Sequence, residues 1–311
     1  MLLTRKIDLH VHTTVSDGTD TPAEIVRRVK EEGIKIFSVT DHDAVEGCAI
    51  INNLLEEGDP AFIYGVEFSC EDQEGKYQIL GYGFDPDSPY MSELISRARA
   101  FCTSNLQNTL EFLKREYGFD FSSADRDLLF TLNNPGKKHL AGLMVRYGYA
   151  STKNDALINY IKKCKTKDTF IRPEEAIRAI LKSNGIPVLS HPFFGNGEEF
   201  IQLREVERRI KRLTKMGLKG VEVFYSGFTE TMKKDLMDLA DKYRLYVTAG
   251  SDYHGSNKLD RLGDTDLGSY PEYPKRLQKF LKKTRIYNNN MEKKRFSLFR
   301  KRAPLPERRL S

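Results

Sequence analysis

The sequence lacks the features that mark secreted, membrane-spanning or fibrous proteins. Its four cysteines include no C-x-x-C pair, which predicts reduced, mostly buried thiols in a cytoplasmic protein. No apolar run approaches the roughly 18 residues of a membrane span, and the first residues are expected to form a strand and not a secretory signal. Glycine and proline are too few for a collagen-like or low-complexity chain. A globular protein with a substantial core is therefore expected from the 311 residues.

Several catalytic signatures are also missing. No serine lies in a G-x-S-x-G elbow, and no cysteine stands beside the histidines discussed below. Neither a Walker A nor a G-x-G-x-x-G segment occurs. The sequence therefore indicates no side-chain nucleophile and no phosphate-cradling glycine loop.

The formal net charge of +6 is distributed unevenly along the chain. Residues 275–311 contain 14 lysines and arginines against two acidic residues, whereas the rest of the chain is acidic overall. This pattern excludes a body coated with positive charge for DNA binding. The basic segment is predicted to be a C-terminal helix and a flexible tail, which either attracts a polyanion or is a solvated extension.

Alternating apolar patterns predict strands separated by helices. Strands are expected at 6–11, 34–40, 62–69, 77–83, 186–190, 220–225 and 244–250. Helices are expected at 22–32, 44–57, 172–185, 199–216 and 230–243. This order is typical of βαβ units and a parallel sheet, for which a closed or nearly closed barrel is one solution. Helices at 92–116, 142–147 and 154–164 interrupt it, which predicts a helical insertion at 85–171 between barrel segments 1–84 and 172–274.

Polar side chains gather where the predicted strands end. His10 and His12 alternate at the end of the first strand, so both rings face the same side and can reach one metal ion. Later strands end at or near Asp41, His42, Glu67, His191, Asp252 and His254, and Asp17 follows the first strand. The carboxyl ends of strands in α/β folds meet at one face, where active sites form. Each residue alone is more often a turn or core residue, but so many buried ionisable groups together require a compensating cation.

Five segments of the chain resemble motifs of the PHP (polymerase and histidinol phosphatase) family. They are DLHVHTTVSDGTDTPAEIV, FSVTDHDAVEG, GVEFS, VLSHP and AGSDYHG, in this order. The resemblance covers residues 6–265. It implies an α/β fold, a distorted (β/α)7 barrel. It also implies an enzyme that hydrolyses phosphate esters with two or three divalent metal ions. The insertion, with Lys137-Lys138-His139, resembles the stand-alone branch that hydrolyses 3′,5′-bisphosphate nucleotides and trims short RNA from the 5′ end.

The resemblance also implies the roles of single residues. The expected metal ligands are His10, His12, Asp17, His42, Glu67, His139, His191, Asp252 and His254. Glu67 is expected to be shared by a first ion, with His10, His12 and Asp252, and a second, with His191 and His139. Asp17, His42 and His254 are expected to hold a third. Asp41 is expected to orient an imidazole. The expected catalytic set is Asp41, His42, His191 and His254. The donor set suits Mn, Fe or Zn, with Mn preferred, and water activated by the ions attacks phosphorus.

The substrate contacts are less specific. The branch usually has Arg-Pro where this chain has Lys137 and Lys138, and a lysine offers a point charge instead of a bidentate grip. These two lysines and Arg146 are either phosphate contacts or an exposed basic stretch. Aromatic residues near the predicted mouth either stack on a base or pack under a loop, and they are Phe193, Phe194, Tyr225, Phe228 and Tyr253.

The sequence therefore favours a cytoplasmic, metal-dependent phosphoesterase. Its expected substrate is a nucleotide or short single-stranded RNA, with inorganic phosphate as a product and with neither a membrane nor an obligate protein partner. Three alternatives stay open. A phosphatase of a small metabolite such as histidinol phosphate would use the same metals. An amidohydrolase would also begin with H-x-H, but a bridging lysine is then expected on a middle strand. A non-catalytic metal-binding module would tend to lose ligands.

Overall fold

The computed structural model describes residues 6–132, 134–164, 169–196, 199–267 and 272–286. Seven strands form one sheet in chain order: β1 Lys6–Val11, β2 Ile34–Val39, β3 Ala61–Asp72, β4 Gly75–Tyr82, β5 Ile186–Leu189, β6 Gly220–Tyr225 and β7 Tyr246–Gly250. The helices around the sheet are α1 Pro22–Glu31, α2 Glu46–Leu54, α7 Pro173–Lys182, α8 Leu203–Met216, α9 Glu230–Lys242 and α10 Lys275–Lys283. Those between β4 and α7 are α3 Pro89–Tyr117, α4 Ser123–Thr131, α5 Lys137–Arg146 and α6 Lys153–Asn159. Within these ranges no helix is long and apolar enough to cross a membrane.

The sheet is mixed, whereas the alternation of strands and helices predicted a parallel one. Strand β4 runs antiparallel to both β3 and β5, and the remaining pairs are parallel. Only Gln73 and Glu74 separate β3 from β4, which is enough for a hairpin but far too short for the crossover that a parallel pair needs. The α/β class and the seven strands are nevertheless as expected.

The first and last strands of the sheet meet, which makes the sheet a nearly closed barrel. Val11 forms an isolated parallel bridge with Tyr253, and the backbone N–H of His12 donates to the Tyr253 carbonyl at 2.9 Å. Buried Asp8 on β1 accepts hydrogen bonds from the Ser251 N–H at 3.0 Å and the Ser251 hydroxyl at 2.6 Å. The segment after β7 is thereby fixed against β1.

Helix α1 shows how local sequence supports this arrangement. Thr21 caps it as predicted, because its side chain accepts from the Glu24 N–H while the Glu24 carboxylate accepts from the Thr21 N–H at 2.7 Å. Pro22 occupies the first turn, where its missing N–H costs no hydrogen bond. The apolar face of α1, which includes Ile25 and Val29, is buried in the barrel core.

The helices between β4 and α7 have a second hydrophobic cluster of their own. Helix α3 joins the two cores, since Met91 and Leu94 pack with the barrel while Leu106 and Leu110 pack with the other helices. The sequence did not predict α4, whose nine residues are mostly polar, although Ser122 caps it. Helix α5 begins at Lys137, five residues before the predicted start. The predicted basic C-terminal helix is α10, and the predicted flexible tail lies outside the described residues from 287 onward.

We expect Gly250→Ala to destabilise the barrel where β7 meets β1. A methyl group there would lie 2.2 Å from His10 Cβ and 2.8 Å from Glu222 Oε1, both on neighbouring strands. Overpacking of this kind costs about 1–3 kcal/mol. Gly142→Ala is the matched control, because its methyl group would meet only Lys153 Cε at 3.5 Å and alanine favours the helix. Thermal unfolding checks both variants, and equal melting temperatures would contradict the prediction.

Candidate metal centre

Imidazoles and carboxylates converge at one end of the barrel. His10 and Glu67 belong to β1 and β3, and the others follow strands: His12 and Asp17 after β1, His42 after β2, His191 after β5, Asp252 and His254 after β7. The chain places His42 beside Glu67 through an isolated parallel bridge. His10, His12 and Glu67 are fully buried, and His191, Asp252 and His254 are at most 3% exposed. The strand-end side chains identified from sequence therefore do lie together.

Two carboxylates, Glu67 on β3 and Asp252 after β7, both lie close to His10 and His12. His10 Nε2 lies 3.4 Å from Glu67 Oε1 and 3.4 Å from Asp252 Oδ1. His12 Nε2 lies 3.4 Å from Glu67 Oε2 and 3.2 Å from the same Asp252 oxygen. His191 approaches from β5, with its Nε2 at 3.5 Å from Glu67 Oε1. The expected neighbours of Glu67 are thus in place, except for His139.

Three imidazole rings lie close to the carboxylate of Asp17. Its Oδ1 lies 3.2 Å from His254 Nε2, 3.7 Å from His12 Nδ1 and 3.8 Å from His42 Nε2. Their ligand atoms lie within 4.8 Å of one another, as do those of two further groups, His10 with His12 and Glu67, and His10 with His191 and Asp252. His12 belongs to the first and second groups and His10 to the second and third, so the three groups form one connected centre.

The buried polar atoms of this centre fit divalent cations. Nine of them have no hydrogen-bond partner: His10 Nε2, His12 Nδ1 and Nε2, Asp17 Oδ1, His42 Nδ1, Glu67 Oε1 and Oε2, His191 Nδ1 and His254 Nε2. Leaving such atoms without a partner costs free energy that a bound cation offsets. The donors are imidazole nitrogens and carboxylate oxygens without thiolate, which suits first-row divalent metals. The residues present therefore match the metal dependence expected from sequence.

The charges of the centre depend on one another. Burial alone would raise the pKa of Glu67, but the neighbouring histidines, above all His10, hold it well below its ordinary value. Burial lowers the pKa of His42 to about 3, so its ring is neutral at physiological pH, the form that binds a metal. Burial also lowers the pKa of His254, with a further contribution from His12. Anionic Glu67 thus coexists with imidazoles of His42 and His254 that favour the neutral form.

Glu222 is a functional residue that the sequence interpretation missed. It lies fully buried in β6, where its Oε1 is 3.0 Å from His10 Nδ1 and its Oε2 accepts from the His191 N–H at 2.9 Å. A carboxylate behind a metal-binding imidazole fixes the ring orientation and leaves the other nitrogen for the metal. The available signal was a glutamate inside the apolar strand GVEVFY, where an unpaired charge is costly.

Asp41 is placed differently from the sequence expectation. It accepts hydrogen bonds from the Thr13 N–H and Thr13 hydroxyl, both at 2.8 Å, and from the Ser16 hydroxyl at 2.7 Å. It therefore fixes the loop that carries Asp17, whereas the imidazole-orienting bond that was expected of Asp41 is made by Glu222 to His10. The turn-forming SDG sequence needs this anchor to bring Asp17 to the centre.

The residues of α5 divide between the centre and the surface. Lys138 pairs with Asp17 Oδ2, and Lys137 lines the cavity above the centre. His139 also lines this cavity, but its Nδ1 accepts from the Gly136 N–H at 3.2 Å and it belongs to none of the three ligand groups. Arg146 lies at the other end of the helix, where it pairs with Asp125 away from the described cavity lining. A phosphate contact by Arg146 is therefore not supported.

A cavity of about 830 Å³ lies between the metal centre and helices α3, α5 and α6. Its described lining includes five lysines: Lys76, Lys137, Lys138, Lys162 and Lys258. Lys258 Nζ lies 2.5 Å from Asp252 Oδ2, and Lys76 Nζ lies 5.5 Å from the ring centroid of Phe170. Lys76, Lys162 and Lys258 were not identified from sequence, because isolated lysines outside a motif carry no signal.

The five aromatic residues predicted near the mouth pack elsewhere. None is among the described residues that line the cavity, and Phe193 and Phe228 are buried, with ring centroids 5.6 Å apart. Tyr225 contacts the Phe228 ring at 5.0 Å, and the Tyr253 hydroxyl donates to Asp20 at 2.6 Å. Of the two interpretations left open, packing is what the structure supports for Phe193 and Phe228, whereas Tyr225 lies 5.5 Å from the His191 ring and its hydroxyl donates to Asp252 at 3.2 Å.

Comparison with known proteins gives a consistent assignment. The PHP domain model matches residues 8–226. The phosphoribosyl 1,2-cyclic phosphate 1,2-diphosphodiesterase of Eggerthella lenta is 29% identical over 264 residues, 80% of this chain and 94% of that protein. The 3′,5′-nucleoside bisphosphate phosphatase of Chromobacterium violaceum is 26% identical over 280 residues, 86% of this chain and 92% of that protein.

A solved structure has the same fold. A Bifidobacterium adolescentis protein, described as a metal-dependent phosphoesterase, superposes with a TM-score of 0.76 at 24% identity. The superposition covers 91% of this chain and 97% of the other. The two proteins therefore share one fold across most of both chains.

We expect Glu222→Gln to weaken metal binding without unfolding the protein. The amide keeps the shape but removes the charge that holds His10 Nδ1–H, and losses of this kind cost about 10–100-fold in metal affinity. Calorimetric titration with Mn²⁺ measures the effect. Glu207→Gln, on the surface of α8, is the control and should bind Mn²⁺ like the parent protein. Equal affinity of both variants would refute the role of Glu222.

We also expect metal affinity to rise with pH and metal binding to release protons. Burial alone would lower the pKa of His12, but the nearby carboxylates of Asp252 and Glu67 raise it to about 9. The pKa of His10 is also raised, against the effect of burial, by Glu222, Glu67 and Asp252. Both rings are thus protonated at neutral pH without metal, and cations must displace these protons. Affinity should rise about tenfold per pH unit for each proton released, up to the His12 pKa. Calorimetry in buffers of different ionisation enthalpy counts the protons, and none released would contradict this.

Proposed function

The chain belongs to the PHP domain family and is a metal-dependent phosphoesterase, and from this premise we propose that its main substrate is a 3′,5′-bisphosphate nucleotide. The observation that carries the proposal is the presence of lysines at two separate depths of the cavity. Lys138 and Lys258 contact ligands of the metal centre, whereas Lys76 lies further out on β4. Two anionic groups of one substrate match this arrangement.

The distance between the two depths follows from the β3–β4 hairpin. Lys76 lies opposite Glu71, which is four residues beyond Glu67 on the same strand, so the backbone separation is about 13 Å at the usual rise per residue. The side chains of Glu67 and Lys76 extend from the two ends of this backbone separation, so the distance between their charged groups can be shorter than about 13 Å. A phosphate at the metal centre therefore leaves the second phosphate of the same nucleotide within reach of Lys76.

The balance of charges in the cavity supports a polyanionic substrate. Five lysines line it. Apart from Asp43 and the proposed metal ligands, Glu71 is the one carboxylate among its described lining residues. Cations bound to the centre would offset the ligand carboxylates and leave the walls positive. Histidinol phosphate, with one phosphate and a positive amino group, suits these walls less well than a bisphosphate does.

The metal content that we propose is two or three ions, with Mn²⁺ the best match to the mixed donors. His10, His12, Glu67, Asp252 and His191 would hold two of them, and Asp17, His42 and His254, with His12, a third. Divalent cations in such a centre neutralise phosphate oxygens and lower the pKa of a coordinated water. The protein's own part is to hold the phosphate, and Lys137 and Lys138 would supply positive charge from the insertion.

The insertion closes the cavity over the centre. The Asn134 side-chain amide donates to the His42 carbonyl at 2.7 Å, and Lys153 Nζ donates to Asn257 Oδ1 at 3.2 Å. These contacts join the loop before α5 and helix α6 to two strand-end loops of the barrel. Covering the centre in this way excludes water and strengthens the attraction between the lysines and a bound phosphate.

A short 5′-phosphorylated RNA is the second candidate substrate. Half-buried Phe170 lies beside Lys76, so a base can stack on its ring while a phosphate contacts the lysine. The proposed location is the cytoplasm, which rests on the cysteine pattern, and no obligate protein partner is proposed.

We expect the Mn²⁺-loaded protein to release phosphate from adenosine 3′,5′-bisphosphate faster than from histidinol phosphate. A 5′-phosphorylated RNA oligomer is the third substrate in the assay, with release of 5′-end mononucleotides as its readout. His10→Ala should abolish all activity while circular dichroism stays unchanged, because it removes a ligand that two groups share. Turnover of histidinol phosphate alone would overturn the nucleotide substrate but keep the metal centre.

We expect Lys76→Ala to weaken binding of the second phosphate of the substrate while leaving binding of the phosphate at the metal centre unchanged. Loss of a charged hydrogen bond of about 1.5–3 kcal/mol should raise KM for the bisphosphate at least tenfold. KM for adenosine 3′-monophosphate, which has no second phosphate, should stay within twofold. Lys219→Ala, exposed directly before β6 and not among the described cavity residues, is the control. Equal changes for both nucleotides would contradict the assignment of Lys76.

A further inference from the structure

The two oxygens of Asp252 have different surroundings. Its Oδ1 faces the centre, 3.4 Å from His10 Nε2, 3.2 Å from His12 Nε2 and 3.4 Å from His254 Nδ1. Its Oδ2 faces away from these rings and has two donors, Lys258 Nζ at 2.5 Å and the Tyr225 hydroxyl at 3.2 Å. Oδ1 is therefore the oxygen that Asp252 presents to a metal, and Oδ2 is held by the protein.

The loop after β7 fixes this arrangement. Asp252 has a φ of 57°, in the left-handed region that non-glycine residues seldom adopt, and such strain is found at functional sites. The same loop is tied down at Asn257, whose side-chain amide donates to the Asp17 carbonyl at 2.8 Å and whose Oδ1 accepts from Lys153. Lys258 follows directly, so its position relative to the centre is set by both the barrel and the insertion.

Lys258 and Tyr225 both donate to Asp252 Oδ2, but they differ in their access to the cavity. Lys258 lines the cavity, and a third of its side chain is exposed, whereas Tyr225 is not among the described cavity residues. An ammonium group has three N–H donors, of which Asp252 takes one.

We propose that Lys258 is a phosphate-binding residue, whose ammonium group links Asp252 to an oxygen of the phosphate bound at the metal centre. One N–H holds the metal ligand while the others donate to phosphate, so the substrate is positioned relative to Asp252. The role applies to any phosphate ester at this centre, and it does not depend on the nucleotide proposed above.

The test compares Lys258→Met with Tyr225→Phe, since each variant removes one donor to the same Asp252 oxygen. Calorimetry measures Mn²⁺ stoichiometry and affinity, and then the binding of inorganic phosphate to each Mn²⁺-loaded protein. We expect Lys258→Met to keep the Mn²⁺ stoichiometry and to weaken phosphate binding at least tenfold. Tyr225→Phe should leave phosphate binding within twofold, because the tyrosine does not reach the cavity.

Other outcomes would overturn the proposal. Equal weakening of phosphate binding by both variants would mean that Lys258 acts only by positioning Asp252. If Lys258→Met bound fewer Mn²⁺ ions but the same amount of phosphate per bound ion, Lys258 would again act only by positioning Asp252. Lys258→Gln is the second variant should the methionine not fold, with the same expectations. Because inorganic phosphate is the probe, a failure to hydrolyse bisphosphate nucleotides would leave this test fully decisive.

Discussion

The structure depends on a buried carboxylate at the centre of the barrel mouth. Glu67 is fully buried and lies within 3.5 Å of nitrogen atoms of four histidines, which come from three other strand ends. A charge this deep is tolerated only with compensating positive partners, which are protons on His10 and His12 or cations that displace these protons. The requirement for a cation is therefore built into the fold, and the barrel brings its ligands together before any substrate enters.

Three further buried carboxylates hold the parts that carry these ligands. Asp8 fixes the segment after β7, Asp41 fixes the loop of Asp17, and Glu222 fixes the His10 ring of β1 and the His191 backbone after β5. Burial raises the pKa of Asp8 to about 6, so at neutral pH this carboxylate is charged and accepts its hydrogen bonds. Each anchor joins two chain segments that are distant in sequence. The centre is precise because its loops are tied by charge-assisted hydrogen bonds.

Much of this centre could be predicted because strand ends in an α/β fold meet at one face. His10, His12 and Glu67 needed nothing more than alternation and strand order. The antiparallel β4 escaped prediction because the rule of alternation ignores the two-residue connection before it. Glu222 carried a signal, a charge within an apolar strand, but its partner His10 lies 212 residues away. The place of Arg146 depends on the direction of α5, which periodicity does not determine.

The insertion and the centre are coupled through one carboxylate. Lys138 of α5 pairs with Oδ2 of Asp17, whereas Oδ1 of the same side chain faces imidazoles of His254, His12 and His42. A carboxylate has two oxygens, so Asp17 can serve a cation and the lysine at the same time. The ion pair that joins the insertion to the barrel therefore also keeps an ammonium group beside the metal centre, where it would add positive charge near a bound phosphate.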